Sequence, residues 1–589
     1  LLNPTHRPNR SGKDLSARKC FTAKAGELLP ILCEELVPND YVKLDTASLI
    51  RTFPLQTAAF LRARVHFDFF FVPKTAIWRN WNRFYYQRDD RESSLMNGFA
   101  FEPNIKIRDL YNVATYQASG VGSSDKRDSY ASRCKLSQLL GYGDLASTSV
   151  YYNASVGSPQ YVVGQKSLSI LPMLGYQRIY NMWYRNAWRD EPSSLDTWQY
   201  SADAWLCDSY ANSLFDSQYP IGAGRADSPL KMRYHGWFSD LFMGSLPNQQ
   251  FGSVSTIDVS GSSSITGVTG SDLGRYNVDT SSGQPSGLPN YALTIAGNSN
   301  GRLEKAVDVN GNIIQYPASH DHTFSLSAAG TLGSFDVLAL RKALALQKWK
   351  ESNMRAGWKN RNQARAMFGV STPEDRKHEI EFIKGYDFPV LIDEVISQNG
   401  AFGGNLAEIA GKGIGVGNGE LLEFNPGERH GYLYCIAYVL PQVEYDAVGI
   451  EKYLVRSEPF DHFVPAFENL GMEPIYKYEL NADGDPTQFD SVLGYAPRYH
   501  EYKTRLDKVY GEFMSSKTLS SWVSVRRDLQ NIANLGSIPT SYFYVNPSVL
   551  DSMFAFSADG SQATDQFILN VNFTDKMVRP MSDLGLPNL

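Results

Sequence analysis

One run of alternating side chains constrains the fold of this 589-residue chain more than any other feature. Residues 58–72 read AAFLRARVHFDFFFV, with an apolar residue at every second position from Leu61 to Phe71 and with Arg62 and Arg64 between them. Successive side chains of a β-strand point to opposite faces, so this period of two predicts a strand that Pro73 ends. The run therefore favours a fold built on β-sheet.

Further strands are predicted along the whole chain. The run Tyr432–Val439 is apolar at every position, as expected for a strand that is buried on both faces. Phe388–Ile396, Lys508–Phe513 and Gln566–Phe573 are also β-rich. The 47 Gly and 29 Pro residues punctuate the chain throughout, which indicates long loops between the strands.

Two stretches are helical by pattern. One is Met173–Trp188, and the other runs from Val337 to about Met354, behind the N-cap candidates Ser334 and Asp336.

Several functional classes find no support in the residues. The longest apolar runs fall far short of the roughly 20 residues that span a bilayer, and the N-terminus lacks the apolar core of a secretory signal. The glycine-rich run Gly411–Gly417 lacks the preceding βαβ unit and the Gly-Lys-Ser/Thr ending of a phosphate-binding loop. We therefore interpret it as a flexible loop. We expect no enzyme activity, no cofactor and no metal site, since no catalytic motif stands out. The five cysteines are far apart, which indicates reduced thiols; they are Cys20, Cys33, Cys134, Cys207 and Cys435.

The N-terminus is basic although the chain as a whole has a formal net charge of -6. Its first 24 residues contain six Lys and Arg residues and one acid, Asp14. Pro4, Pro8, Ser11 and Gly12 disfavour helix and strand, so we predict that residues 1–30 form an extended basic arm.

The second predicted helix has a basic stripe. Arg341, Lys348, Arg355 and Lys359 are spaced by 7, 7 and 4 residues, which keeps them within roughly 40° of one another around a helix. Such a stripe, with Trp349 and Trp358 nearby, can neutralise phosphates and stack on bases. The alternative is a solvated helix face with tryptophans in the core, and the sequence leaves both interpretations open.

Residues 252–301 differ in composition from the rest of the chain. Gly, Ser, Thr and Asn fill 29 of these 50 positions, interspersed with single Ile, Val and Leu residues. A disordered linker between two domains has this composition too. The interspersed apolar residues favour a long insertion of short β-ribbons, and we expect residues 245–335 to form it on the surface.

The run Phe70-Phe71-Val72-Pro73, followed by Trp78 and Trp81, resembles a signature of the F-type major capsid proteins of the Microviridae, gokushovirus-like branch. Other segments resemble the same family in the same order along the whole chain. They include Leu171-Pro172, Tyr180-Asn181, Arg185-Asn186, Trp237-Phe238-Ser239, Leu246-Pro247-Asn248-Gln249, Gln347-Lys348-Trp349, Arg355-Ala356-Gly357, His430-Gly431, Leu470-Gly471, Gly494-Tyr495, Gly511-Glu512-Phe513 and Pro580-Met581.

This resemblance implies a mainly β fold, an eight-stranded viral jelly roll with long loop insertions and a few helices, as one subunit over residues 1–589. It implies a structural major capsid protein that assembles with copies of itself into a T=1-type icosahedral shell around single-stranded DNA. The insertion would then form an outward protrusion, and outer loops would contact a receptor on the host cell. Other virion proteins, such as a DNA pilot or internal scaffolding protein, would be further partners. The protein would reside in the virion after assembly in the bacterial cytoplasm.

Within that interpretation, the basic arm and the basic stripe are the candidate DNA contacts. The candidate residues are Arg7, Arg10, Arg18, Lys19, Arg341, Lys348, Arg355 and Lys359. Two interpretations compete with it. One is a β-sandwich that binds glycans or acts on them, and the other is a sequence-specific nucleic-acid regulator, against which the net charge of -6 counts.

Overall fold

Strands account for most of the regular structure in this computed structural model. It describes residues 10–78, 81–86, 104–108, 110–111, 129–190, 230–250, 252, 268–269, 325–326, 337–356, 360–369, 379–396, 409–482, 486–530, 538–555 and 565–581. The strands, in chain order, are β1 (Ser11–Asp14), β2 (Ala17–Ala23), β3 (Leu29–Leu36), β4 (Tyr41–Thr52), β5 (Ala63–Pro73), β6 (Asn104–Lys106), β7 (Ser167–Ser169), β8 (Val268–Thr269), β9 (Ser325–Leu326), β10 (Glu381–Ile396), β11 (Ile409–Asn418), β12 (Leu422–Phe424), β13 (Gly431–Pro441), β14 (Tyr445–Asp446), β15 (Met472–Tyr476), β16 (Val492–Pro497), β17 (Lys508–Val509) and β18 (Phe567–Arg579).

Most helices are short, apart from the 20-residue α7, and they lie between the strands along the chain. The α-helices are α1 (Lys74–Ile77), α2 (Trp81–Tyr86), α3 (Tyr130–Leu139), α4 (Leu145–Tyr152), α5 (Pro159–Gly164), α6 (Leu171–Ile179), α7 (Val337–Ala356), α8 (Asn360–Phe368), α9 (Lys477–Leu480), α10 (His500–Lys503) and α11 (Arg527–Gln530). A π-helical turn covers Tyr180–Tyr184, and 3-10 turns cover Lys452–Leu454, Pro459–Asp461, Pro465–Phe467, Pro486–Gln488, Gly511–Phe513, Ser520–Trp522, Thr540–Phe543 and Pro547–Met553. Among the described residues, no helix is both long and apolar enough to cross a membrane.

The main sheet is antiparallel and curls on itself. Its strand order is β1-β18-β4-β11-β10-β5-β13-β3, with β2 also paired to β18 and β12 to β4. Strand β10 joins the two halves, because residues 381–390 pair with β5 whereas residues 391–396 pair with β11. The result is the double-layered arrangement of a jelly roll, as the resemblance implied.

The core lies between the two layers of this curled sheet. Val65, Phe67 and Phe71 of β5 are fully buried on its inner side, as the alternating sequence predicts. The opposite side of β5 is covered as well, because the Phe70 ring packs against Trp183 at a centroid distance of 5.6 Å. Strand β5 begins at Ala63, five residues later than the predicted run, and ends at Pro73.

The other predicted strands are confirmed with changed limits. Strand β13 extends the predicted run at both ends, and all of its residues are buried. Strand β10 begins seven residues before the predicted Phe388, and β18 continues to Arg579. Of the predicted strand at residues 508–513, only the two residues of β17 are extended in a ladder, because a 3-10 turn begins at Gly511.

The two predicted helices are present. Helix α6 begins at Leu171, but regular helix ends at Tyr184 rather than Trp188, because Arg185 adopts an extended conformation after the π turn. The wide turn allows the Tyr184 hydroxyl to donate to Oδ2 of Asp68 at 2.7 Å. Helix α7 agrees with the prediction and ends at Ala356. The N-cap candidates Ser334 and Asp336 lie outside the described residues.

The prediction that the N-terminal arm contains no strand is wrong from Ser11 onward. Strands β1 and β2 both pair antiparallel with β18, in a register that joins Ser11 to Arg579 and Ala23 to Phe567. The long β18 offers a free edge to this segment, and the ladder satisfies its backbone groups, which the local sequence does not reveal.

The interpretation of Gly411–Gly417 as a flexible loop is also wrong. These residues lie in β11, between β10 and β4. Gly413, Gly415 and Gly417 are buried, while the side chains between them lie on the outer face. Glycine is required on the inner side because larger core side chains lie directly over this strand.

The chain divides into two compact units. One comprises residues 1–251 and 351–589 and contains the curled sheet, and the other comprises residues 252–350. In the second unit, the described residues contain the short β8–β9 ladder and the first fourteen residues of α7. The surface exposure of residues 245–335 stays a prediction, since most of them lie outside the described residues.

Candidate nucleic-acid and assembly surfaces

The basic residues of strand β2 lie on opposite faces of the sheet. Arg18 is exposed, and its Nε donates to Oδ1 of Asn570 in the neighbouring strand at 2.8 Å. Lys19, the next residue, is half-buried near Cys33 and Glu34, and burial lowers its pKa. Because side chains alternate along a strand, Arg18 and Lys19 do not contribute to one common surface.

The two remaining candidates at the N-terminus differ in what the structure describes. Arg10 is exposed, and its guanidinium donates to the backbone carbonyl of Asn39 at 2.6 Å. Arg7 lies outside the described residues. Arg10 and Arg18 are therefore the exposed candidates among the described residues of the arm.

The described residues of the basic stripe lie on helix α7, which is exposed on nearly all sides between residues 341 and 349. Arg341, Lys348 and Arg355 are all exposed. Trp349 is 48% exposed, so this ring is not part of a core and is accessible for stacking. Lys359 and Trp358 lie outside the described residues. The described part of the stripe thus presents basic and aromatic groups to solvent together.

A second surface was not predicted from the sequence. Several 3-10 turns between β14 and β15 expose large apolar side chains, and Tyr502 of α10 extends the same region. Prolines begin two of these turns, at Pro459 and Pro465, and turns this short have no second layer to cover them. We call the following residues the exposed apolar surface: Tyr453, Leu454, Val455, Phe460, Phe463, Leu470 and Tyr502, which are 43% to 65% exposed.

Ring contacts hold the exposed apolar surface in shape. The Phe463 ring lies edge-on to Tyr499 at a centroid distance of 5.1 Å and 6.1 Å from the ring of Tyr502. The Phe460 ring packs on Phe467 at 5.5 Å. These contacts pre-order the aromatic side chains, which lowers the entropy lost when a partner covers them.

A buried ionic network joins this surface to the β15–β16 hairpin. His500 is 2% exposed and lies between two carboxylates, with Nδ1 2.7 Å from Oε1 of Glu473 and Nε2 2.7 Å from Oε2 of Glu479. Lys452 approaches the same Glu473 oxygen to 2.9 Å. Burial opposes the charged imidazolium, but the two carboxylates raise the pKa of His500 to about 8. Burial also opposes ionised Glu473, but His500 and Lys452 lower its pKa to about 2.

Arg456 connects the network to the exposed rings. Its guanidinium donates to Oε1 of Glu501 at 2.6 Å, and its Cζ lies 4.9 Å from the centre of the Tyr502 ring. Reasoning from the sequence missed this network, because its acidic residues are up to 28 positions apart and form no local motif. Only the antiparallel β15–β16 pairing brings Glu473 beside the residues that follow β16.

Comparison with known proteins identifies the family. A family model described as capsid protein (F protein) matches residues 3–105 and 143–589. The capsid protein VP1 of Chlamydia phage 1 is 25% identical, in an alignment that covers 100% of this chain and 96% of that protein.

Two further relatives have the same description. The capsid protein VP1 of Bdellovibrio phage phiMH2K is 24% identical over 85% of this chain and 82% of its own length. The capsid protein VP1 of Spiroplasma virus 4 is 24% identical over 42% of this chain and 45% of its own length. Together with the curled jelly-roll sheet, these matches show that the chain belongs to the F-type major capsid protein family of the Microviridae, in its gokushovirus-like branch.

Proposed function

We propose that this major capsid protein assembles with copies of itself into a T=1-type icosahedral shell that encloses single-stranded DNA. Family membership assigns the structural role, and the exposed apolar surface is the observation on this chain that carries the self-assembly. Monomeric proteins rarely expose large contiguous apolar patches, and aromatic side chains are enriched at protein interfaces. Neighbouring copies provide a cover for this surface within a closed shell.

The geometry of a closed shell agrees with a surface of this kind. Around a symmetry axis, each copy contacts the next through two different patches, and the series closes by rotation. The exposed apolar surface would be one of these two patches. Its side chains lie on loops outside the curled sheet, so the contact leaves the core of the subunit unchanged.

Two substitutions in this surface test the assembly. The substitutions are Leu454→Glu and Leu470→Glu. Leu454 is 65% exposed and Leu470 is 63% exposed, so the isolated chain should still fold. A charge buried without a partner at the contact costs several kcal/mol, so particles should give way to monomers or small oligomers. Size-exclusion chromatography with light scattering measures the mass of the product.

The matched control is Val156→Glu. Val156 is 83% exposed but lies in a different part of the chain, before α5. It should leave particles of unchanged mass. If the Leu454 and Leu470 variants form megadalton particles as the wild type does, the exposed apolar surface is not an assembly contact. If the wild-type chain stays monomeric, the proposed shell is wrong.

For the DNA contacts, we propose the exposed basic side chains of the arm and of helix α7. Arg10, Arg18, Arg341, Lys348 and Arg355 are the candidates that are described and exposed, and Arg7 and Lys359 complete the set. Lys19 would contribute less, since it is half-buried and its pKa is lowered by burial. The favourable energy comes from counterions that the DNA releases when its phosphates are neutralised.

The remaining partners follow from the same role. Residues 245–335 would form an outward protrusion, and the outer loops would contact a receptor on the host cell. A DNA pilot or internal scaffolding protein would bind the inner side of the shell. The chain would be made and assembled in the cytoplasm of the bacterial host and would end in the virion.

A further inference from the structure

The outer face of one half of the curled sheet is exposed although it carries apolar side chains. Strands β18, β4, β11 and the second part of β10 are neighbours in this half. Every second side chain of β4 and β18 is buried in the core, so the side chains between them lie on the outer face. On that face Val416 is 68% exposed, Leu391 63% and Ile568 41%. Large aliphatic side chains on several neighbouring strands are thus presented to solvent.

The register of the strands places these side chains next to one another. Directly opposite residues of an antiparallel pair share a face, with Cβ atoms about 4.5–5.5 Å apart. The cross-strand pairs are Leu391 with Ile414, Ile414 with Arg51, Arg51 with Ile568, and Val416 with Leu49. The apolar members of this contiguous set form what we call the outer sheet surface: Leu49, Leu391, Ile414, Val416 and Ile568.

Two cations lie within the outer sheet surface. Arg51 stands between Ile414 and Ile568, and Lys412 precedes Ile414 by two residues on the same face of β11. Both cations are exposed, and neither forms an ion pair with a residue that the structure describes, although Asp393 lies opposite Lys412 in the ladder. A charge buried at a contact without a partner costs several kcal/mol. The molecule that covers this surface should therefore bring negative charge.

The exposed apolar surface between β14 and β15 carries that charge. Its turns contain two exposed carboxylates, Glu458 and Asp461, on either side of the exposed ring of Phe460. Asp461 accepts the backbone N–H groups of Glu458 at 2.9 Å and of Ser457 at 2.8 Å, which lowers its pKa and keeps it ionised. Negative charge and large apolar side chains thus occur together on these turns.

The basic residues of the same turns do not offset this negative charge. Lys452 lies 2.9 Å from Oε1 of Glu473, and Arg456 lies 2.6 Å from Oε1 of Glu501. Both cations are half-buried and are held in the ionic network behind the turns. The exposed apolar surface therefore has an excess of exposed acidic groups along its turns, and the outer sheet surface has two exposed cations without an ion pair among the described residues.

Single-stranded DNA is the other occupant that two cations could attract. Surfaces that bind single strands offer aromatic rings on which bases stack, whereas the outer sheet surface offers aliphatic side chains. Asp45 and Asp393 are exposed on the same face and would repel phosphates. Arg18, a proposed DNA contact, lies on β2 outside this set. The composition of the surface favours a protein partner.

We propose that the outer sheet surface receives the exposed apolar surface of a neighbouring copy of this chain. Arg51 and Lys412 would meet the carboxylates of the turns, while the aromatic and aliphatic side chains of the two surfaces cover each other. The inference rests on the proposed assembly, and it names the second of the two patches that a contact around a symmetry axis requires.

Carbodiimide treatment of assembled wild-type particles tests this contact without any variant. The reagent joins a lysine amine to a carboxylate only where the two groups touch. Mass spectrometry should find Lys412 joined to Glu458 or Asp461 in particles, and not in the unassembled chain. Particles in which Lys412 is joined to neither carboxylate overturn the proposal.

Charge exchange provides the second test. Lys412→Glu and Arg51→Glu change exposed side chains, so the chain should still fold, but each should lower the yield of particles by roughly tenfold. Adding Glu458→Lys to the same chain should restore the yield in at least one of the two cases, because every copy contributes both patches. Lys166→Glu is the matched control, since Lys166 is exposed in another part of the chain, before β7.

The outcomes separate this contact from the shell itself. Normal particles from both Lys412→Glu and Arg51→Glu overturn the contact and leave the shell in place. Normal shells of these variants that retain less DNA would assign the outer sheet surface to DNA instead. A wild-type chain that stays monomeric contradicts the shell and this contact together. Circular dichroism checks the fold of each variant, and light scattering measures particle mass.

Discussion

At the scale of single residues, alternate glycines in β11 make room for large side chains of the core. A Cβ atom at Gly417 would overlap the ring of Phe388, and one at Gly415 would lie 2.7 Å from Cγ2 of Ile50. These side chains already occupy the space that a Cβ atom would need. These positions therefore tolerate no side chain without movement of Phe388 or Ile50.

Gly417→Ala should consequently destabilise the subunit by about 1–3 kcal/mol, the range for overpacked cores. Val416→Ala, one position away on the outer face, removes two exposed methyl groups and should change the free energy of unfolding by less than about 0.5 kcal/mol. Urea denaturation of the unassembled chains measures both. Equal stability of the two variants would show that β11 packs more loosely than its distances indicate.

A pair of acidic residues near the ends of β3 and β18 makes stability depend on pH. Burial and a hydrogen bond to Asp575 raise the pKa of Glu34 to about 8, and burial also raises the pKa of Asp575. Arg579 donates to Oε1 of Glu34 at 3.2 Å and offsets part of the repulsion, while Lys19 and Asp40 are the other charged groups nearby. The folded chain therefore binds a proton that the unfolded chain has released.

The sign follows from this difference in protonation. An acid whose folded pKa is raised stabilises the fold below its unfolded pKa of about 4.5, and this stability is lost as the pH rises through about 8. The free energy of unfolding should therefore be lower at about pH 9 than at about pH 5. Glu34→Gln should flatten this dependence, and Glu468→Gln, an exposed control, should not. An unchanged slope in Glu34→Gln would assign the pH dependence to other groups.

At the scale of elements, helix α7 carries the described part of the basic stripe. Its three described stripe residues repeat every seven positions, so they share one side of the helix, and Trp349 lies beside Lys348. A stripe that meets phosphates and a stripe that meets carboxylates of a neighbouring copy differ in their response to salt.

The double variant Lys348→Gln with Arg355→Gln should lower the DNA retained by particles as salt is raised. Each phosphate contact on a single strand contributes about 0.7 to the log–log salt slope, so two lost contacts should reduce the slope by about 1.4. The control pair Lys342→Gln with Arg365→Gln removes two exposed charges outside the stripe. Weakened empty shells with normal DNA retention would assign the stripe to contacts between subunits.

At the scale of the whole molecule, the region between residues 252 and 301 is the part that the fold of the first unit needs least. It belongs to the second compact unit, and its composition is that of an insertion. Closing a loop costs only about 0.6 kcal/mol more for each doubling of its length, so changes in length have small effects on the remaining fold.

Replacing residues 252–301 by a short Gly-Ser linker should therefore preserve soluble protein and particles while reducing binding to host cells. Circular dichroism and thermal denaturation report on the fold, particle mass on the assembly, and a pull-down with host cells on attachment. A variant with a scrambled insertion of equal length distinguishes the effect of the insertion's sequence from the effect of its size. Insoluble protein after the replacement would show that the segment is part of the core.

Local sequence alone determined that β5 and β13 are strands, together with parts of β10 and β18. Apolar side chains recur at every second position of β5 because successive side chains point to opposite faces of a strand. This period of two residues can be recognised within a dozen residues. Helix α7 and most of α6 were predictable for the same reason, since their periods are local. The ordered family motifs added the jelly roll and the structural role, without specifying any contact.

Tertiary structure alone decided which segments meet. Strands β1 and β2 join β18 across more than 540 positions, and the local Pro and Gly residues pointed to the opposite conclusion. The glycines of β11 resemble a loop until Phe388 is seen above them. His500, Glu479 and Glu473 become one network only through the β15–β16 pairing. Backbone pairing and core packing are interactions between residues that are distant in the chain, so their partners and register have no local period from which they can be predicted.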